Sequence, residues 1–218
     1  MNSLELARNQ MVTQQVRAWD VLDQRVLGML ENLPRERFVP GAFRQVAFAD
    51  TAIPLPHGQR MMTPTVEGRV LQALVPQPGE RALEIGTGSG FLAACLSRLG
   101  ADVLSLDIFP DFTEQAGATL KSLGIRRIKL ETEDGTRFDA GKKRFDVIAV
   151  TGSLPVYTDR YAQQLAVGGR LFMVVGEAPV MEALLITRVG EAAWSRRSLF
   201  ETDLPALVNA PLPTRFVF

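Results

Sequence analysis

Arg81-Ala82-Leu83-Glu84-Ile85-Gly86-Thr87-Gly88-Ser89-Gly90 decides how the rest of the chain is read. A short apolar run leads into three glycines at alternate positions, and an apolar pattern with helical spacing starts at Phe91. Glycine reaches backbone angles that other residues resist and lets a ligand lie against the main chain. A strand, a glycine turn and a helix N-terminus in succession suit an adenosine-containing ligand. The spacing Glu-x-Gly-x-Gly-x-Gly differs from the dinucleotide fingerprint Gly-x-Gly-x-x-Gly.

Downstream, strands and helices alternate. Strands are predicted over 81–85, 102–106, 128–131, 145–150 and 170–175, with a helix over 90–99 that buries Phe91, Leu92, Cys95, Leu96 and Leu99 and ends at Gly100. Residues 145–150 form a nearly continuous apolar run, the pattern of a parallel strand covered on both faces. A helix is expected over 161–165, and two final strands over 182–189 and 196–200 read as an antiparallel edge. Such alternation predicts a Rossmann-like, doubly wound α/β sheet, mostly parallel, with an antiparallel C-terminal edge.

Upstream, residues 1–17 have helical spacing, and Asp23 is placed to cap a second helix that ends before Pro34. Residues 34–40, with a proline at each end, read as an ordered connector. Residues 48–64 hold Pro54, Pro56 and Pro64 and are expected to be irregular, the kind of long loop that often carries function. A helix over 65–74 follows. The organisation expected is an N-terminal helical extension with a substrate loop over 1–64 and a ligand-binding domain over 65–218.

The chain has 218 residues, 24 basic and 24 acidic, so net charge makes no electrostatic case for a nucleic-acid or membrane partner. One cysteine leaves no internal disulfide and no zinc cluster, and no metal-ligand spacing is visible. Residues 1–8 lack the apolar segment of a secretory signal, and no apolar run approaches the ~20 residues that span a bilayer. A cytoplasmic protein is expected, and the oligomeric state is left open.

Asp107 ends the second strand about 20 residues beyond the glycines, where a carboxylate accepts ribose hydroxyls in related folds; the competing reading is a cap for the helix that starts near Pro110. Asp134-Gly135 follows the third strand, either within reach of an adenine amino group or as a turn alone. Glu84 is placed to anchor the loop or to meet the rest of the ligand, and Thr151, ending the fourth strand, faces the same crevice. The lone histidine, His57, lies in the irregular loop beside Gly58-Gln59, and Cys95 reads as an inert core residue.

The glycine motif resembles the first motif of class I methyltransferases. Further residues are similar to one family of them, the protein-L-isoaspartate (D-aspartate) O-methyltransferases. Leu33-Pro34-Arg35-Glu36-Arg37-Phe38-Val39-Pro40 resembles its N-terminal element, and 47–50, 53–55 and 58–59 its approach to the substrate loop. Residues 83–90 resemble its cofactor loop, and Glu133-Asp134-Gly135 its Gly-Asp-Gly. The resemblance implies S-adenosyl-L-methionine as cofactor, held by Glu84, Gly86, Thr87, Gly88, Ser89, Asp107, Ile108, Asp134, Gly135 and Thr151. It implies a protein or peptide carrying isoaspartate, or another carboxylate acceptor, as substrate.

One stretch departs. After Gly-Gln the family has Thr-Ile-Ser-x-Pro, whereas this chain reads Arg60-Met61-Met62-Thr63-Pro64. Met62 stands at the serine position, so the serine's role does not transfer. Arg60 and Thr63 are the catalytic candidates left: a guanidinium that holds a carboxylate, and a hydroxyl one position late. A carboxylate with a pKa near 4 needs alignment and desolvation rather than a general base, which suits a chain poor in His and Cys. Three other readings stay open: another acceptor with the same cofactor, a non-catalytic binder of it, and, against the glycine spacing, a nicotinamide oxidoreductase.

Overall fold

The computed structural model describes residues 3–213. Its centre is a seven-stranded sheet built from β3 Arg81–Ile85, β4 Asp102–Asp107, β5 Ile128–Thr132, β6 Phe145–Leu154, β7 Leu165–Glu177, β8 Val180–Gly190 and β9 Ala193–Thr202. The order is β5-β4-β3-β6-β7-β8-β9. The first five are parallel to one another; β8 and β9 are antiparallel, as the sequence predicts. Helices α3 Pro64–Leu74, α4 Phe91–Arg98 and α5 Pro110–Ser122 accompany the sheet. Strand order reverses at β3, so the chain leaves β3 with strands on either side, and such reversals place ligands beyond the strands' carboxyl ends.

Alternation along the strands builds two cores. Ala82, Val147 and Ala149 point to one face, whereas Leu83, Ile85, Ile148 and Val150 point to the other. That two-residue period explains why β6 reads as continuously apolar: both of its faces are covered. Glu84 shares the Ala82 face by the same period and is fully buried there.

The N-terminal segment packs into the first core. Helix α1 Ser3–Gln10 continues as a wider π-type turn over Met11–Val16 and a tight turn over Arg17–Trp19, so the helix expected over 1–17, of which residues 1 and 2 lie outside the described residues, is present from Ser3 but changes winding at Met11. Met11, Val12 and Val16 are buried against the same cluster as the sheet residues. Helix α2 Gln24–Asn32 is capped by Asp23, which accepts from the amides of Arg25 and Val26.

Three expectations are corrected. The 48–64 loop contains a two-residue ladder, β1 Ile53–Pro54 against β2 Arg60–Met61, because the turn at 56–58 brings the chain back and Leu55 donates to the Gln59 carbonyl at 2.8 Å. The helix at 161–165 is a single tight turn, Ala162–Gln164, since strand β7 begins at Leu165. Strand β6 runs on to Leu154 through an irregularity between Ala149 and Ser153. The tail lies on that irregularity: Ser153 donates to the Pro205 carbonyl at 2.8 Å, and Leu207 donates to the Ser153 carbonyl at 2.9 Å. The two tryptophans are structural: Trp19 meets Phe200 edge-on, and Trp194 donates to the Ala162 carbonyl at 3.0 Å.

Candidate active site

Beyond the carboxyl ends of β3, β4 and β5 lies a cleft partly open to solvent. In-register pairing sets its floor. Glu84 stands opposite Ser105, and Ile85 opposite Leu106, so Asp107 is the first side chain past β3 on its neighbour. The amides of Gly86 and Thr87 then donate to the Leu106 carbonyl at 2.8 and 3.2 Å, turning the loop across the strand ends.

The glycines serve two purposes. Gly86 has φ +100, and a Cβ there would lie 2.3 Å from Thr151 Oγ1, so side chains are excluded by the fold itself. At Gly88, with φ +49, a Cβ would meet only Leu55 Cδ1 at 3.4 Å, so what glycine leaves open is the cleft. Thr151 Oγ1 lies 2.9 and 2.7 Å from the carbonyls of Ile85 and Gly86, bracing the loop from β6. Thr87 joins its hydroxyl to that of Ser105 at 2.6 Å, and Ser89 Oγ accepts from the Phe91 amide at 3.3 Å.

Three of the four carboxylates that line the cleft, Glu84, Asp107 and Asp134, sit at the strand ends in different states. Glu84 is buried; Ser105 donates to its Oε2, and its Oε1 has no hydrogen-bond partner among the described residues. Burial pushes its pKa up to about 8, with the Asp107 charge adding to the rise and the Ser105 hydrogen bond opposing it. Asp107 accepts from the Gly88 amide at 2.8 Å and the Phe109 amide at 3.0 Å; burial raises its pKa over the opposing pull of those amides. Around Asp134, burial raises the pKa, but hydrogen bonds from Thr136 and from Asn209 Nδ2 at 3.0 Å outweigh it and the net shift is downward. Ile108 and Gly135 complete this side of the cleft.

The high pKa of Glu84 gives a stability prediction. The unfolded group titrates near 4.5 and the folded one near 8, so between those values the unfolded chain gives up its proton while the folded one keeps it, and stability falls as pH rises. Between about pH 5.5 and about pH 7 the protein without ligand should lose roughly 2 kcal/mol relative to Glu84→Gln. Denaturant titrations of both proteins at the two pH values check this; parallel pH dependences would place the titration elsewhere.

The other wall comes from the 48–64 loop. Arg60, Met61 and Met62 line the cleft. Arg60 Nη2 donates to Asp203 Oδ2 at 2.8 Å, while its Nε is buried without a hydrogen-bond partner among the described residues. Thr63 is placed differently from what a catalytic role needs: its Oγ1 caps α3, accepting from the Val66 amide at 3.4 Å, and pairs with Thr65 Oγ1 at 2.9 Å. It is absent from the cleft wall, because the residue before a proline-started helix is held as its N-cap. His57 also lies behind the wall rather than in it.

Sequence reading missed several wall residues. Leu207 and Val208 reach the cleft from the tail, and Phe109 and Phe112 from the start of α5. Phe109, two residues past Asp107, was within reach of motif reasoning; nothing in the sequence ties residues 207–209 to β6 and Asp134. Glu67 was missed too. It is buried at the cleft and ion-paired with the equally buried Arg35, burial raising its pKa to about 7 against the Arg35 charge.

Cofactor fit rests on these observations. Glu84 lines the cleft with its Oε1 unpartnered among the described residues, Gly88 keeps a wall open, and Asp107 and Asp134 stand at two adjacent strand ends. A sheet of this order with such a cleft at its strand ends fits an adenosine-containing cofactor, and the comparisons with known proteins make the chain a methyltransferase. A family model described as protein-L-isoaspartate(D-aspartate) O-methyltransferase matches residues 7–203. A protein-L-isoaspartate O-methyltransferase of Koribacter versatilis is 35% identical over 209 residues, 96% of this chain and 94% of that one. One from Opitutus terrae is 37% identical over 182 residues, 83% of this chain and 78% of its own. A solved Plasmodium falciparum structure, described as a protein-L-isoaspartate O-methyltransferase in complex with S-adenosyl-L-homocysteine, shares the fold with a TM-score of 0.80 at 20% identity, over 92% of this chain and 97% of that one. The chain belongs to the protein-L-isoaspartate (D-aspartate) O-methyltransferase family. S-adenosylmethionine is the cofactor of that family. Among the described residues no helix is long and apolar enough to cross a membrane.

Proposed function

We propose that this protein methylates a carboxylate of isoaspartyl residues in proteins or peptides, in the cytoplasm. The observation that carries the reading is the pairing of two walls across one cleft: carboxylates and glycine amides at the ends of β3 to β5, and a guanidinium with a free, buried Nε on β2. When bound, S-adenosylmethionine supplies a methyl group on a sulfonium; a carboxylate oxygen forms the new C–O bond as the C–S bond breaks, and the sulfur keeps the electron pair.

The chain's residues bind and align. Asp107 is placed for ribose hydroxyls, Asp134 for the adenine amino group, and Glu84 Oε1 for a cationic donor. Thr87, Ser89, Gly135 and Thr151 hold the surrounding backbone, and Ile108 with Phe109 gives an apolar wall. Arg60 is proposed to orient the acceptor carboxylate through Nε. Thr63 supports it by fixing the start of α3 rather than by contact. Apolar surroundings favour the reaction, because an anion and a cation are consumed and neutral groups produced. Radiolabelled methyl transfer to an isoaspartyl peptide, with the aspartyl isomer as control, tests the proposal.

One observation favours a second reading, a different carboxylate acceptor. Met62 lines the cleft where a hydroxyl stands in the resembled motif, and methionine cannot donate a hydrogen bond to a carboxylate. Weak turnover on a standard isoaspartyl peptide is therefore expected. Met62→Ser, which keeps Arg60 and restores a hydroxyl donor, should raise it more than tenfold, a change of about 1.4 kcal/mol in the barrier. Unchanged turnover in this variant would shift the assignment to another acceptor; strong activity in the parent would show that Arg60 already suffices.

A further inference from the structure

His57 is the only histidine, and it sits in the turn between β1 and β2 with φ +58 and ψ 24. That left-handed conformation is unfavourable for a residue with a Cβ. Contacts outside its own loop offset the strain. The imidazole lies flat on Phe109, with centroids 3.9 Å apart and 7° between planes, and meets Phe112 edge-on at 5.5 Å. Its Nε2 is 3.0 Å from both carboxylate oxygens of Asp111. Phe109 and Phe112 line the cleft on the Asp107 side. Leu55, Gln59 and Arg60 line it on the hairpin side, and Leu55 pairs with Gln59 across the same turn. One side chain thus links the acceptor-bearing hairpin to the turn that receives the cofactor.

We propose that His57 is a positioning residue that couples the two walls. Cofactor contact fixes Phe109; Phe109 and Asp111 fix the imidazole; the imidazole fixes the hairpin that presents Arg60 and Met62. Linkage is reciprocal, so an ordered hairpin also strengthens cofactor binding. The inference rests on the cofactor alone and stands apart from the identity of the acceptor.

Hydrogen exchange of the amides of residues 55–61, with and without S-adenosyl-L-homocysteine, tests it in the parent, His57→Gly and His57→Asn. Glycine accepts the left-handed backbone and removes both contacts; asparagine tolerates the backbone and removes the stack. In the parent the ligand should slow exchange about fivefold, the lower end of ordinary coupling between sites. In His57→Gly the slowing should fall below about twofold and ligand affinity should drop by the factor lost from the coupling, with His57→Asn between the two. A merely structural staple would loosen the hairpin equally with and without ligand, leaving the ratio unchanged. A parent hairpin that ignores the ligand, or one that responds identically in His57→Gly, overturns the proposal.

Discussion

Arg35→Ala should cost roughly 3–5 kcal/mol of folding stability, the range for removing one partner of a buried ion pair. Arg35 is 1% exposed and supports four neighbours at once. Its Nη1 pairs with Glu67, its Nε donates to the Ala47 carbonyl at 2.9 Å, its Nη2 donates to the Met62 carbonyl at 2.9 Å, and its plane lies over the Phe91 ring at 4.8 Å. Truncation leaves Glu67 buried beside the cleft without its cation and two carbonyls without their donor. Urea unfolding of the two proteins at one pH measures the loss. Arg35→Met with Glu67→Leu is the control: removing both charges should be far milder than removing one. A loss below about 1 kcal/mol for Arg35→Ala would mean that water or a rearranged loop replaces the guanidinium. The same variant frees the Met62 carbonyl, so the cleft wall at Arg60–Met62 should loosen with the fold.

Asp107→Ala should weaken S-adenosylmethionine binding by roughly 2–4 kcal/mol, or about 30- to 1,000-fold in Kd. Two losses combine. The proposed ribose acceptor disappears, and the amides of Gly88 and Phe109 lose the carboxylate that aims them. Asp107→Asn separates these, since it keeps the shape and one oxygen acceptor while removing the charge. Calorimetric titration with the cofactor reads both variants, and thermal melts confirm that each is folded. Affinity within about twofold of the parent for Asp107→Ala, near 0.4 kcal/mol, would remove Asp107 from the ribose site.

These two residues differ in how they were found. Asp107 was legible because its position is local: it ends a strand that pairs in register with the strand before the glycine turn. Sheet pairing of consecutive strands follows from alternation and short connections, so the strand ends, the glycine turn and Asp134 all follow from the order of the chain. The antiparallel edge was legible for the same reason, since β7, β8 and β9 are joined by tight turns.

Arg35 was visible as part of a motif, but its partner was not. Glu67 lies 32 positions on, and only the docking of α3 beside the connector brings the pair together. Likewise, the sequence offered Thr63 as a free hydroxyl, and the start of α3 turned it into a cap. His57 was placed in the right loop; that it stacks on Phe109 behind the cleft wall depends on where the hairpin lands.

By itself, then, the sequence determined the strands of the main sheet, the glycine turn and the parallel sheet with its antiparallel edge, because each rests on neighbours in the chain or on two-residue and 3.6-residue periods, and it showed the family through its motifs. Tertiary structure alone decided which polar groups stay free to bind. Glu84 holds an oxygen without a hydrogen-bond partner among the described residues because burial on the Ala82 face leaves Ser105 as its one side-chain donor. Asp134 is held by Asn209, and Leu207 closes the wall, because the tail pairs with the irregular end of β6. Satisfaction of a polar group is a property of all its neighbours in space, and those neighbours come from segments that no local pattern connects.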